Sequence, residues 1–445
     1  MNVIQKANEN YFDALPDEIL IKIFSFLDLD DLISVSHVDS RWKDLSQVNS
    51  VWKDIIYQPK PSITDTEKIS KIQDMPALKA YSAMYTENIS LIIDAICEYC
   101  RDFKHLCLSG GHNLTYPILE KLLSVFPNIE KLDIPVLKQK DSLQLVELIG
   151  KLQKLTYLRF SDRYARVEQD VLKPIADGCP LLLHMILGDS SFNDKDIQYF
   201  LVKKQKQIVS FEVCCPISAL TLRCISECCN LEKLNFETKR FSDVSYDEML
   251  LLKKLKRLKT LELCNLKSEQ AKAVPSLFAE NNLSNVVDLK LYLTCIEENE
   301  VNQVILNCPQ LTSFALTSIH VNLDIALKNI GNCKNLTSLS LSGSHVTRKC
   351  IDYVASCPKL ETLDLSCCLQ TKDNVMLSVV KLKQLRRIVI SYSSFLGKHF
   401  DLIPTHLIHL KEIIAYETAI KVSIWNRLLD KVPNLKIIGR DPEEL

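Results

Sequence analysis

The sequence predicts an α/β solenoid, with a curved parallel sheet inside and helices outside, behind an all-α N-terminal domain. Three observations predict it. A pattern L-x-x-L-x-L recurs about every 25 residues from Phe103 onward; a helix-like stretch precedes each clear copy; and the first fifty-odd residues lack the repeat but carry apolar residues at helical spacing.

Composition sets the class. With 47% hydrophobic and 24% charged residues the chain lies in the ordinary globular range. Its 54 basic and 55 acidic residues leave a net charge of −1, which argues against nucleic acid as the main partner, because phosphate binding shows as a basic domain or stripe. Only 9 glycines occur, none spaced G-x-G. Neither a dinucleotide fingerprint nor a phosphate-cradling loop can be written, and H-E-x-x-H and G-x-S-x-G are absent. The start has no apolar run of signal-peptide type, and no stretch of roughly 18 apolar residues follows. The expectation is a cytoplasmic or nuclear protein with no membrane partner. Seventeen cysteines spread through a chain with ample apolar residues read as reduced, mostly buried thiols.

Residues 1–10 read as a tail and 11–57 as the helical domain. Pro16 suits a first helical turn, Asp17 and Glu18 favour its positive end, and Ile19, Leu20, Ile23, Phe24 and Leu27 recur at helical spacing, predicting a helix over about 16–27. The Asp28 to Asp31 segment supplies turn and cap groups for a second helix through Leu32 and Val35, and Val38, Trp42 and Leu45 line a third. A segment this short seldom buries enough surface to be stable alone, so its apolar faces need another surface. Residues 58–90 read as a packed helical connector, because Ala77, Leu78, Tyr81 and Met84 also recur at helical spacing.

The repeat occupies 91–445. Its first anchors are Phe103, Ile129, Leu155, Leu182, Ile208, Leu231, Leu258, Val286, Leu311, Leu336, Leu360, Leu385, Leu410 and Leu435, fourteen units at intervals of 23 to 28 residues. The L-x-L alternation gives a short strand with its apolar side inward, and the helical stretch returns the chain to the next strand. One unit cannot bury its apolar face, whereas stacked units share a core. The last copy, VPNLKIIGR, breaks down after Ile438 and is expected to cap the stack.

The repeat resembles the cysteine-containing class of leucine-rich repeats: Cys100, Cys179, Cys228, Cys308, Cys333 and Cys357 each stand three positions before an anchor. The N-terminal segment resembles an F-box, through Leu15-Pro16-x-Glu18-Ile19-Leu20, Ile23-Phe24, Leu27, Leu32, Val35, Val38, Arg41-Trp42 and Val51-Trp52. Asp39 departs from the small residue often found after the valine. The resemblance implies a non-catalytic substrate receptor of an SCF-type ubiquitin ligase, with no cofactor or metal. It would dock a Skp-type adaptor, and through it a cullin and a RING subunit, while the repeats select a protein substrate. Leu15, Pro16, Glu18, Ile19, Leu20, Ile23, Phe24, Leu27, Leu32, Val35, Val38 and Trp42 would form the adaptor region, with Trp42 and Trp52 more concerned with holding the helices together. An adaptor-bound scaffold without a degradation substrate, and a receptor completed by a small molecule, are the alternatives.

Other clusters read as structural. Cys97, Cys100, His105 and Cys107 have zinc-like spacing, but Cys100 occupies the repeat position and Cys107 falls on a strand. The runs Lys253-Lys254-x-Lys256-Arg257-x-Lys259 and Lys203-Lys204-x-Lys206 fall at the rim where helices end. The inner wall is read two, four and six residues after each anchor. It is charged early, at Lys131, Asp133, Arg159, Glu212, Lys233, Glu262, Asp288 and Lys290, and then changes to Ser313, Ala315, Thr317, Ser338, Ser340 and Ser342, followed by Asp364 and Ser366. With Tyr292 before this patch and Tyr392 after it, it is the expected substrate surface.

Overall fold

The structure is a computed structural model that describes residues 12, 14–83, 86, 88–108, 114–135, 142–160, 170–188, 192–236, 244–292, 295–318 and 321–439. The expected tail at 1–10 lies outside the described residues. Among the described residues the chain forms two compact units, Met1–Phe200 and Leu201–Leu445.

The first unit opens with three short helices, α1 (Asp17–Phe24), α2 (Leu29–Ser36) and α3 (Ser40–Ser46). Asp28 caps α2 by accepting from Asp31 N at 3.0 Å. Asp39 caps α3 by accepting from Trp42 N at 2.8 Å, which gives a physical reason for an aspartate at a place where the resemblance expects a small residue. Helix α1 ends three residues earlier than expected, in a turn over Ser25, Phe26 and Leu27.

The next stretch differs from the sequence reading. Its helix, α4, spans Asp65–Gln73 behind a Thr64/Glu67 capping box, whereas the segment expected to be helical forms strand β1 (Ala80–Ala83). Leu78 stands 25 residues before Phe103, and β1 pairs in parallel with the first expected strand, Ala80 opposite His105. Leu78 is thus the anchor of one more repeat, in which Tyr81 and Ala83 replace the leucines of the pattern. Spacings of three and four suggested a helix, but the pairing edge offered by the next repeat decides for a strand.

Among the described residues fifteen strands run parallel in sequence order, β1 to β5 in the first unit and β6 to β15 in the second. After β1 come β2 (His105–Leu108), β3 (Lys131–Ile134), β4 (Tyr157–Phe160), β5 (His184–Leu187), β6 (Ser210–Val213), β7 (Lys233–Phe236), β8 (Thr260–Cys264), β9 (Asp288–Tyr292), β10 (Ser313–Thr317), β11 (Ser338–Ser340), β12 (Thr362–Asp364), β13 (Arg387–Val389), β14 (Glu412–Ile414) and β15 (Lys436–Ile438). Thirteen of the fourteen expected strands begin two residues after their anchor; β15 begins one residue after Leu435. The shifted register marks where the repeat decays. Residues three past the anchors, such as Leu132, Leu158, Leu289 and Leu339, are fully buried. Burial of each such side chain is worth about 1.5–3 kcal/mol.

In the first unit, helix α5 (Ile89–Tyr99) packs on α4, and residue 57 extends the sheet beyond β1. Tyr57 N donates to Ala80 O at 2.9 Å, and Ser82 N donates to Tyr57 O at 3.0 Å. The three-helix domain is therefore joined to the first repeat by backbone hydrogen bonds, and Lys71 adds an ion pair to Asp30 at 3.0 Å.

Candidate functional site

Within the helical domain, Arg41 and Trp42 organise the α1 segment. Arg41 Nε and Nη2 donate to Asp17 Oδ1 at 2.9 and 2.6 Å, and Nη2 also donates to Leu15 O at 2.6 Å. The Trp42 ring lies 5.3 Å from Phe24 and 5.8 Å from Phe12, centroid to centroid. Trp52 is buried, and its Nε1 donates to Ser46 O at 2.7 Å.

This packing sorts the twelve adaptor candidates. Leu20, Phe24 and Leu32 are 0%, 1% and 0% exposed and make the domain's own core. Leu15, Leu27, Val35 and Trp42 are half-buried, and Pro16, Glu18, Ile19, Ile23 and Val38 are exposed. Ile19 and Ile23 stand at i and i+4 on one face of α1, and Phe26 continues that spacing at i+7 just past the helix. Phe26 is 76% exposed and Val38 56% exposed. Phe26 was not among the expected residues. Its spacing from Ile23 was the available signal, but helical spacing alone cannot say which of two adjacent stripes turns outward.

On the sheet, side chains two and four residues after each anchor lie on the face opposite the leucine core. In the first unit Arg159 pairs with Asp133 across adjacent strands at 3.6 Å. In the second, Lys233 pairs with Glu212 at 2.6 Å and Lys290 with Glu262 at 3.4 Å. Much of the charged wall is thus neutralised by its own neighbours.

The uncharged strands β10 and β11 stand side by side, Ser313 opposite Ser338 and Ala315 opposite Ser340. Ala315 is buried, and Ser313, Thr317, Ser338 and Ser342 are half-buried. Asp364 gathers the hydroxyls next to them: Ser340 Oγ donates to its Oδ2 at 2.9 Å, and Ser366 N and Oγ donate to Oδ1 at 2.8 and 2.6 Å. Two of the expected hydroxyls are therefore committed to a carboxylate. Burial pushes the half-buried Tyr292 phenol well above its ordinary value, helped by the carboxylates of Glu262, Asp288 and Asp364, so Tyr292 keeps its proton. Tyr392 is exposed. The sequence reading did not single out an adjoining apolar row: Val389, Ile414 and Ile438 lie in register across β13, β14 and β15, each half-buried.

The clusters read as structural have structural placements. Burial raises the Cys100 thiol to about 12 and also raises Cys97 and Cys107, opposing the thiolate that zinc binding needs. In the basic run, Lys254 pairs with Glu227 at 2.6 Å, Arg257 donates to Asn230 Oδ1 at 2.8 Å, and Lys259 pairs with Glu232 at 2.8 Å. Each partner lies one repeat earlier. Among the described residues no group of three or more His, Cys, Asp or Glu side chains could hold a metal ion, and no helix is long and apolar enough to cross a membrane.

Residues 12–58 match the F-box-like family model. A chain of the yeast Rad7 and Elc1 complex has a similar fold, at a TM-score of 0.52 and 14% identity, covering 98% of this chain and 95% of that one. The internalin inlF of Listeria monocytogenes str. 4b F2365 is also similar, at a TM-score of 0.45 and 15% identity, covering 84% of this chain and 89% of that one. The chain thus carries an F-box-like domain at residues 12–58, followed by a leucine-rich-repeat solenoid.

Proposed function

We propose that this protein is the substrate-recognition subunit of an SCF-type, cullin-RING ubiquitin ligase. Residues 11–57 dock a Skp-type adaptor, 58–77 connect, and the repeats, beginning with the one anchored at Leu78, select the protein to be ubiquitinated. The observation that carries the reading is the apolar stripe of Ile19, Ile23 and Phe26, with Val38, left open on a three-helix domain that matches the F-box-like family model. Exposed apolar side chains grouped in this way mark a contact surface. The yeast complex that contains a similarly folded chain is itself an assembly of two proteins. The adaptor would bring the cullin and the RING subunit, and the chemistry would belong to that subunit and its ubiquitin-charged enzyme. The proposed substrate surface is the patch from Tyr292 through Ser313, Thr317, Ser338, Ser340, Ser342, Asp364 and Ser366 to Tyr392. Such a receptor works in the cytoplasm or nucleus.

The test separates surface from core. Ile23→Asp with Phe26→Asp should reduce co-purification of a Skp-type adaptor at least about tenfold, because it places charge in an apolar contact, while the melting temperature stays unchanged. Undiminished adaptor capture by this variant would overturn the reading. Leu20→Asp is unsuitable as a test, since a charge at a fully buried site unfolds the domain itself.

A further inference from the structure

The loops that follow β12 and β13 line an open concavity of about 520 Å³. Leu369 and Leu396, 72% and 48% exposed, stand on its wall. Lys372, Lys398 and His399 also line it, and none of the three makes an ion pair or side-chain hydrogen bond among the described residues. The remaining charge at the site, Asp373, is already engaged, because its Oδ1 accepts from Leu396 N at 3.0 Å and Gly397 N at 3.1 Å. Ser394 Oγ donates to Thr371 O at 2.6 Å and ties the second loop to the first.

These bonds hold the walls in place before any ligand arrives, so a partner would pay little to order them. The contrast with the rest of the rim is informative. Lys254, Arg257 and Lys259 each meet a carboxylate or amide of the preceding repeat, whereas among the described residues Lys372 and Lys398 have no such neighbour. Two flexible cations flanking exposed leucines fit a ligand that brings both negative charge and an apolar side chain.

We infer that this concavity docks an acidic segment of the substrate polypeptide, with a large apolar residue seated against Leu369 and Leu396 and carboxylates facing Lys372 and Lys398. The inference rests on the receptor reading and names the chemistry of its substrate. It also places the contact at the loop end of the sheet, two residues past Tyr392, rather than on the strand face alone.

The probe is a fluorescein-labelled pentapeptide of four glutamates around a central leucine, titrated with the full chain and followed by anisotropy. It should bind, and Lys372→Glu with Lys398→Glu should weaken it at least about tenfold, since two exposed attractions become repulsions. Replacing the central leucine by serine should also weaken it, and the same leucine flanked by four lysines should not bind. No binding of the acidic peptide, equal binding of the lysine peptide, or unchanged binding by the double variant would overturn the inference. Both substituted lysines are exposed, so the fold should survive, and matching melting temperatures verify this. Because the titration contains no adaptor, its failure leaves the adaptor result standing, and loss of adaptor capture leaves the titration interpretable.

Discussion

Cys333 donates its thiol to Cys308 O at 3.5 Å, Cys357 to Ile330 O at 3.5 Å, and Cys179 to Ile149 O at 3.3 Å. Each acceptor belongs to the preceding repeat, so a small, weakly polar thiol satisfies a backbone carbonyl where the chain turns back toward the sheet. Burial pushes two of the three thiols up from their ordinary 9.0, Cys333 to about 12 and Cys357 to about 11. The direction sets a pH dependence. Above pH 9 an unfolded thiol loses its proton while the folded one keeps it, so unfolding is favoured as pH rises. The stabilisation is complete below about pH 9 and fades through about 11–12, with a slope of up to about 1.4 kcal/mol per pH unit for each thiol. Melting temperature measured from pH 7.5 to 11 should fall beyond pH 9, and Cys333→Ala with Cys357→Ala should make the fall shallower. An identical slope would mean that these thiols do not control it.

At the level of the element, the second unit repeats a backbone feature that the leucine pattern does not contain. Seven residues past their anchors, Asn265, Gly343, Cys367, Tyr392 and Glu417 all have φ between 49° and 71°. The N–H groups of Gly343, Cys367 and Tyr392 each donate at 2.8 Å to a carbonyl of the next repeat, at Ser366, Ser391 and Tyr416. The left-handed turn ends the strand and aims its amide forward along the stack. Gly343→Ala should cost about 1–2 kcal/mol, because the new Cβ must enter the left-handed region and would lie 3.2 Å from Thr317 Cγ2. Denaturant unfolding of the full chain measures this, and a loss well under 0.5 kcal/mol would count against the turn's role. Tyr392 keeps the same geometry with a large exposed side chain. The element that the sequence hid was β1. Its Leu78 keeps the period, but Tyr81 and Ala83 erase the L-x-L signature, and only pairing with β2 reveals it.

For the molecule as a whole, adaptor contact and substrate choice are proposed for different compact units, so each should be separable by mutation. Ser340→Arg puts a long cation on the open sheet face beside Asp364 without entering the leucine core, and it should reduce capture of substrate proteins while leaving adaptor capture unchanged. Lys131→Glu, on the early charged wall, is the comparison. Quantitative mass spectrometry of co-purifying proteins decides: partners lost with Lys131→Glu and kept with Ser340→Arg would move the substrate surface to the early repeats. The sequence by itself determined the repeat, its period and anchors, the three N-terminal helices and the resemblance of that helical segment, because these follow from local spacing of apolar residues and from motif order. Which stripe of α1 turns outward, placing Leu20 and Phe24 in the core and Ile23 and Phe26 at the surface, was decided only when Trp42 packed against Phe24. Tertiary structure likewise decided which charges are consumed, as with Lys254 on Glu227, and which remain open, as with Lys372 and Lys398. A residue's neighbours one repeat away lie about 25 positions distant in the chain, and an ion pair, unlike an apolar period, leaves no regular mark in the sequence between them.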